Sequence, residues 1–418
     1  MSIALGLGAA AVVAAAGRLG PVVQRTPLMR SERLTAELGA AVWLKREDLQ
    51  VGRSYKVRGA YNLISSLTAE ERERGVVCAS AGNHAQGVAF SCSALGIRGR
   101  VFVPSTTPRQ KRERILAIGG EWVELVVAGS TYDEAGAAAL AAGEATGAVL
   151  VHPFDDHRTI AGQGTVAIEL HEQCPEPFGT VVVPVGGGGL IAGMALWLRE
   201  RCPGVRIVGA EPEGAASMRA ALRAGRPVAL SSVDTFVDGA AVGRVGSLTY
   251  PVVRDLVDEV VAVPEGAVCT EMLQLYQVEG VIAEPAGALA SAAARALARV
   301  NGEAGVVCVV SGGNNDVSRY ADILERSLVH EGLKHYFLVT FPQEPGALRG
   351  FLDDVLGPND DIALFEYVKK SNRETGPALV GIELDRPGDL AGLLDRMAAS
   401  RLPIERVPPG SPLFTFLV

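Results

Sequence analysis

No basic residue precedes the apolar opening of this 418-residue chain, Ile3 to Ala16, where a secretory signal wants Lys or Arg. The stretch is too short to span a bilayer, and no later segment is a better candidate, so it reads as a first packed helix and no membrane partner is expected. Excess positive charge is also missing. A formal net charge of −8 disfavours nucleic acid or an anionic membrane as partner. The six cysteines (Cys78, Cys92, Cys174, Cys202, Cys269, Cys308) make no CxxC pair and no zinc spacing. Several lie in apolar runs, as buried free thiols do, and a reducing cytoplasm fits them. There is no solenoid-period repeat and no low-complexity tail. What remains is a soluble globular composition over a length that implies two or three domains.

The body of the chain alternates short apolar runs with helical periodicity. Strands are expected at Val76–Ala79, Arg100–Val103, Trp122–Val126 and Ala148–Val151, with helices between them. Further strands are expected at Thr180–Val185, Val205–Ala210, Val257–Val263 and Val306–Val310. A βα rhythm of this kind implies parallel sheets with helices on their faces. Residues 61–152 could form a small subdomain, and Leu230 to Thr249 reads as a glycine-rich loop. Thr68 with Glu71 three residues on reads as a capping box. From Lys334 the order becomes strand, helix, strand, strand, helix, strand, which is a ferredoxin-like module. The expected division is 1–325, a linker at 326–333, and 334–418.

Four loops carry candidate chemistry. Lys56 stands in Ser54-Tyr55-Lys56-Val57-Arg58-Gly59-Ala60, after the strand-like run Leu44 to Leu49. A free lysine amine can form a Schiff base with an aldehyde, and pyridoxal phosphate is the usual one. That cofactor needs a phosphate cradle, a partner for its pyridine nitrogen and a grip on the substrate carboxylate. Gly186-Gly187-Gly188-Gly189 follows a buried strand and opens a helix, which suits a phosphate. Ser80-Ala81-Gly82-Asn83-His84 also joins strand to helix and could hold a carboxylate, with Asn83 able to reach a ring hydroxyl. Ser311-Gly312-Gly313-Asn314 ends a strand where α/β sheets bind ligands. A hydroxyl there would leave a pyridine nitrogen neutral. The glycine run also satisfies G-x-G-x-x-A through Gly187, Gly189 and Ala192, and Glu211 ends the next strand, as in an NAD-binding fold. On that stretch alone NAD and pyridoxal phosphate are not separable. The earlier βα units and Lys56 favour the latter.

Taken together, these loops resemble those of threonine dehydratase (threonine ammonia-lyase), a pyridoxal-phosphate enzyme of fold type II. The resemblance covers about residues 20–325 and adds Glu284, in Glu284-Pro285-Ala286-Gly287, as an acid near the ring. It implies an α/β fold of two parallel-sheet subdomains. Lys56 would carry the cofactor and act as base. Asn83, Gly186, Gly187, Gly188, Gly189, Glu284 and Ser311 would hold the cofactor, and Ser80, Asn83 and His84 the substrate. L-Threonine would become 2-oxobutanoate and ammonia, the first step toward isoleucine.

The tail resembles the ACT-like regulatory region of the isoleucine-sensitive enzymes. Many of them carry two such modules, and here there is one. Gln343 to Gly346 is a candidate amino-acid site, isoleucine the expected effector, and a homo-oligomer, dimer or tetramer, the expected assembly. Racemases of this kind need a serine where this chain has Ala81, and carry a metal-binding Asp where it has Ser217, so no metal is expected. A racemising or β-replacing relative, an NAD-binding dehydrogenase and a non-enzymatic amino-acid sensor are the alternative readings.

Overall fold

The computed structural model describes residues 7–297, 305–367 and 373–417. The sequence also predicts a helix from Pro285 to Val300 and a strand from Ile362 to Val368; the ends of both, and residues 3–6 of the apolar opening, lie outside the described residues. Two compact units divide the chain, Met1–Asp316 and Val317–Val418.

The strands in chain order are β1 (Leu28–Arg30), β2 (Val42–Arg46), β3 (Val76–Ala79), β4 (Gly99–Val103), β5 (Val123–Val127), β6 (Val149–Leu150), β7 (Phe178–Pro184), β8 (Arg206–Pro212), β9 (Glu259–Val263), β10 (Gly305–Val310), β11 (Lys334–Pro342), β12 (Asp361–Tyr367), β13 (Thr375–Glu383) and β14 (Ile404–Val407). In the first unit they form two sheets, β1-β2-β10-β7-β8-β9 and β5-β4-β3-β6. Every pairing is parallel except β1 with β2. Helices cover both faces of a parallel sheet, so its strands read as unbroken apolar runs rather than alternating ones. β10 shows this directly, being buried along its whole length.

This topology places the loops. β2, β10 and β7 are adjacent and parallel, so their carboxyl ends share one edge. The segments that follow them carry Lys56, Ser311 and the glycine run. β3 brings Ser80 to the carboxyl edge of the smaller sheet. The opening stretch is helical over Ala9–Leu19 and buries Ala9, Val12, Ala15 and Leu19, one stripe at helical spacing. The Thr68 capping box is present, with the Glu71 carboxylate accepting from the Thr68 N–H at 2.8 Å.

One expectation needs correction. The linker expected at 326–333 begins inside a helix. Tyr320–His330 is a helix that buries Ile323 and Ser327, and its Glu325 carboxylate accepts from Lys334 Nζ at 2.6 Å. The glycine-rich stretch from Leu230 ends in a helix the pattern did not signal, Thr249–Leu256. In the second unit β11 to β14 make an antiparallel sheet of order β12-β13-β11-β14, with the helices Ala347–Val355 and Leu390–Ala399 in the connections. Phe337, Val339, Phe341, Phe351, Val380, Ile382 and Leu393 form its core, as a ferredoxin-like module requires. Among the described residues, no helix is long and apolar enough to cross a membrane.

Candidate active site

Lys56 begins the helix Lys56–Ser65. Just before it, Ser54 bridges to Gly312 and the Tyr55 N–H donates to the Ser311 carbonyl at 3.2 Å. The lysine and serine loops are therefore stitched together backbone to backbone. The Lys56 amine donates to the Pro153 carbonyl at 3.0 Å. Burial pulls its pKa down to about 8, against the opposing charge of Glu284. A lysine depressed in this way spends more time as the free nucleophilic amine.

Lys45, which is fully buried, makes the contrast with the half-buried Lys56. Its amine donates to Glu169, to Gln173 Oε1 and to the Thr26 carbonyl. It is held in a structural ion cluster, whereas Lys56 donates to a neutral carbonyl. Arg58 sits in the same cluster, completely buried. It donates twice to Glu47, at 2.8 Å each, and to Glu169 at 2.6 Å. Burial alone would raise the Glu47 pKa, but the Arg58 charge and hydrogen bonds hold it below the usual carboxylate range. This pairing ties the Lys56 helix to the end of β2. Arg58→Ala leaves Glu47 buried without its cation and should destabilise the protein by about 3–5 kcal/mol in chemical denaturation. A loss below about 1 kcal/mol would mean that the cluster rearranges without it.

The glycine run lies at the end of β7 and opens the helix Gly189–Arg201. The first N–H groups of a helix have no intrahelical acceptor, and Gly188, at φ +91°, turns the chain into it. A Cβ at Gly187 would stand 2.3 Å from the Phe154 ring, so only glycine fits there. The Gly187 carbonyl accepts from Thr249 Oγ1 at 2.6 Å. This is a cradle for a phosphate, with no side chain in the way.

Ser80 and Asn83 stand half-buried at the end of β3 and the start of the helix Asn83–Leu95. The Asn83 amide donates to Glu284 at 2.6 Å and accepts from Asn314 at 2.7 Å. His84 Nε2 donates to the Val151 carbonyl at 2.7 Å, while its Nδ1 is buried without a partner. Burial drives its pKa down to about 3, so the ring is neutral. Glu284 stands just before the helix Pro285–Ala296, with no side-chain cap bond, and is buried, which raises its pKa to about 7, with Asp238 adding to the shift. Ser311 is also buried, and its hydroxyl donates to the Ala286 carbonyl at 3.1 Å. A lysine with a lowered pKa, an anion cradle and a buried hydroxyl at a strand end fit pyridoxal phosphate.

Glu211 does not sit as a ribose ligand. Its carboxylate accepts from the N–H groups of Met218 and Arg219, at 3.0 and 2.9 Å, and caps the helix Ser217–Ala224. Three residues of the site gave no sequence signal. Pro153, Phe154 and Thr249 meet it only through tertiary contacts.

Comparison with known proteins follows the same lines. The family described as pyridoxal-phosphate dependent enzyme matches residues 19–312, and that described as the C-terminal regulatory domain of threonine dehydratase matches residues 325–417. A biosynthetic L-threonine dehydratase of Mycobacterium tuberculosis is 61% identical over 99% of this chain and 96% of its own length. Among solved structures, the processed form of threonine deaminase isoform 2 from Solanum lycopersicum is 39% identical, with a TM-score of 0.72, over 76% of this chain and 92% of that one. Maize serine racemase is 36% identical, with a TM-score of 0.71, over 78% of this chain and 98% of that one.

Proposed function

The chain belongs to the pyridoxal-phosphate-dependent enzymes, in their threonine dehydratase branch, and from that premise we propose how its residues divide the work. The reaction is dehydration and deamination of L-threonine to 2-oxobutanoate and ammonia, the first step toward isoleucine. When bound, pyridoxal phosphate supplies an aldehyde for the amino group and a conjugated ring that draws electrons from Cα.

The N–H groups of Gly186 to Gly189 would hold the phosphate. Ser311 would partner the pyridine nitrogen, and Asn83, held by Glu284 and Asn314, would serve the ring hydroxyl. The hydroxyl of Ser80 and the N–H groups at the start of the Asn83–Leu95 helix bind the substrate carboxylate. His84 joins them through its backbone, because its imidazole is engaged at Val151. The Lys56 amine removes the Cα proton as general base. The β-hydroxyl then departs with a proton, and hydrolysis restores the water that was lost, so threonine balances against 2-oxobutanoate plus ammonia. The observation that carries this assignment is the Lys56 amine, depressed to about 8 and donating to the neutral Pro153 carbonyl. Incubation with L-threonine should give 2-oxobutanoate and ammonia in equal amounts. Accumulation of D-allo-threonine, the product of inversion at Cα alone, would favour the racemase-like reading, against which Ala81 stands in place of the second base.

The second unit regulates, with isoleucine as effector. The effector must prefer a low-activity arrangement over the active one. At the candidate loop the Gln343 amide is spent on the carbonyls of Arg373 and Thr375, which leaves the start of the Ala347–Val355 helix after Gly346 as the anion-binding part. Leu338, Leu348 and Leu352 are exposed apolar residues of this unit, in keeping with a homo-oligomer, dimer or tetramer. Reduced thiols fit a cytoplasmic enzyme. Full-length protein should lose activity at subsaturating threonine when millimolar isoleucine is added. A chain ending at Asp316 should ignore it; this end point follows from the helix Tyr320–His330 belonging to the second unit. Full-length enzyme that is indifferent to isoleucine would make the module an assembly device.

A further inference from the structure

We infer that Asp155 is a positioning residue for the phosphate cradle, acting at a distance through the turn that leads into the Thr249–Leu256 helix. The inference rests on the cofactor reading above. The turn His152–Asp155 touches three separate parts of the site with three consecutive residues. The Pro153 carbonyl accepts from the Lys56 amine, and the Phe154 ring lies against Gly187. The Asp155 carboxylate accepts from the Ser247 N–H at 2.8 Å and the Leu248 N–H at 2.7 Å. The turn itself is set by His152, whose Nδ1 accepts from the N–H groups of Phe154 and Asp155, at 3.3 and 2.8 Å.

The Thr249–Leu256 helix has no side-chain cap of its own at Leu248. Asp155, 93 residues away in sequence, provides one. The approach is so close that a Cβ at Gly246 would stand 2.2 Å from Asp155 Oδ1. What the cap fixes is Thr249, which is fully buried and whose hydroxyl donates to the Gly187 carbonyl. The Gly246 N–H adds a second donor to the same oxygen at 3.3 Å. In a planar trans peptide the C=O and N–H point in opposite directions. Anchoring the Gly187 carbonyl on Thr249 therefore turns the Gly188 N–H the other way, toward the cradle. Glycines have the most freedom to lose, so a four-glycine loop needs such an external anchor to present its N–H groups to an anion.

The test is a discrimination, read on full-length apoprotein. Pyridoxal phosphate and pyridoxal share the aldehyde and ring and differ in the phosphate. Their dissociation constants are measured by absorbance titration for wild type, Asp155→Ala, Thr249→Val and the double variant. Asp155→Ala should weaken pyridoxal phosphate about tenfold or more, the scale of losing a buried charge-assisted contact, and leave pyridoxal within about twofold. Thr249→Val should give the same selective loss, and the double variant no more than the larger single loss, because both act through the Gly187 carbonyl. A purely structural role would weaken both ligands together; that outcome, additive losses, or unchanged affinity for pyridoxal phosphate would overturn the proposal. If Asp155→Ala fails to fold, Thr249→Val alone decides it by the same ratio. Wild-type protein that takes up neither ligand would instead overturn the cofactor reading.

Discussion

Lys56→Ala should lower threonine turnover by at least about 10⁴-fold, the upper range for one proton-transfer group, because the covalent anchor is lost with it. The fold should survive. The amine gives up a hydrogen bond to the Pro153 carbonyl, and a depressed pKa means that burying the amine was unfavourable to begin with. Thermal unfolding of the ligand-free variant should therefore lie close to wild type. Affinity for pyridoxal phosphate should fall but not vanish, since the glycine cradle is untouched. Initial rates of 2-oxobutanoate release, taken beside a melting curve, check this. Activity within about tenfold of wild type in a folded variant would remove Lys56 from the chemistry.

Ser311→Asp should have the second largest effect. Ser311 is buried at the end of β10, beside the Ala286 carbonyl. A carboxylate placed there is taken out of water beside a carbonyl oxygen, so the ligand-free variant should be less stable than wild type. With cofactor bound, the new charge favours a protonated pyridine nitrogen. That makes the ring a stronger electron sink and removes the advantage of prompt loss of the β-hydroxyl. Elimination should slow on the order of 10²-fold, comparable to losing one preorganised electrostatic contact. Less than one 2-oxobutanoate should appear per threonine consumed, as abortive transfer of the amino group to the cofactor competes. Wild-type stoichiometry and rate would show that the hydroxyl does not govern the ring nitrogen.

The parts of this molecule that could be read from its sequence are those made by neighbours in the chain. β10 and β7 announce themselves as valine runs, and the loops after them sit where parallel strands end. The βαββαβ order after Lys334 stands in the second unit as read. What was illegible depends on residues far apart. The Thr249–Leu256 helix carries no local start signal because Asp155 caps it from another part of the chain. Glu211 fits the spacing of a ribose ligand, but spacing does not say where a carboxylate points, and here it caps its own following helix. Lys45 is buried and Lys56 half-buried, and their partners distinguish a structural cation from a nucleophile. The helix Tyr320–His330 was read in part as linker because its buried face is narrow, Ile323 and Ser327.

The central claim is that Lys56, among the six lysines of the sequence, holds the cofactor and performs the proton transfer. Borohydride reduction of the purified holoprotein, followed by peptide mapping, tests it most directly, since reduction makes a Schiff base permanent. The account predicts loss of absorbance near ~410 nm and one pyridoxyl group, on the peptide containing Lys56. Label on Lys45 or Lys111, or no label on a protein that still deaminates threonine, would contradict it.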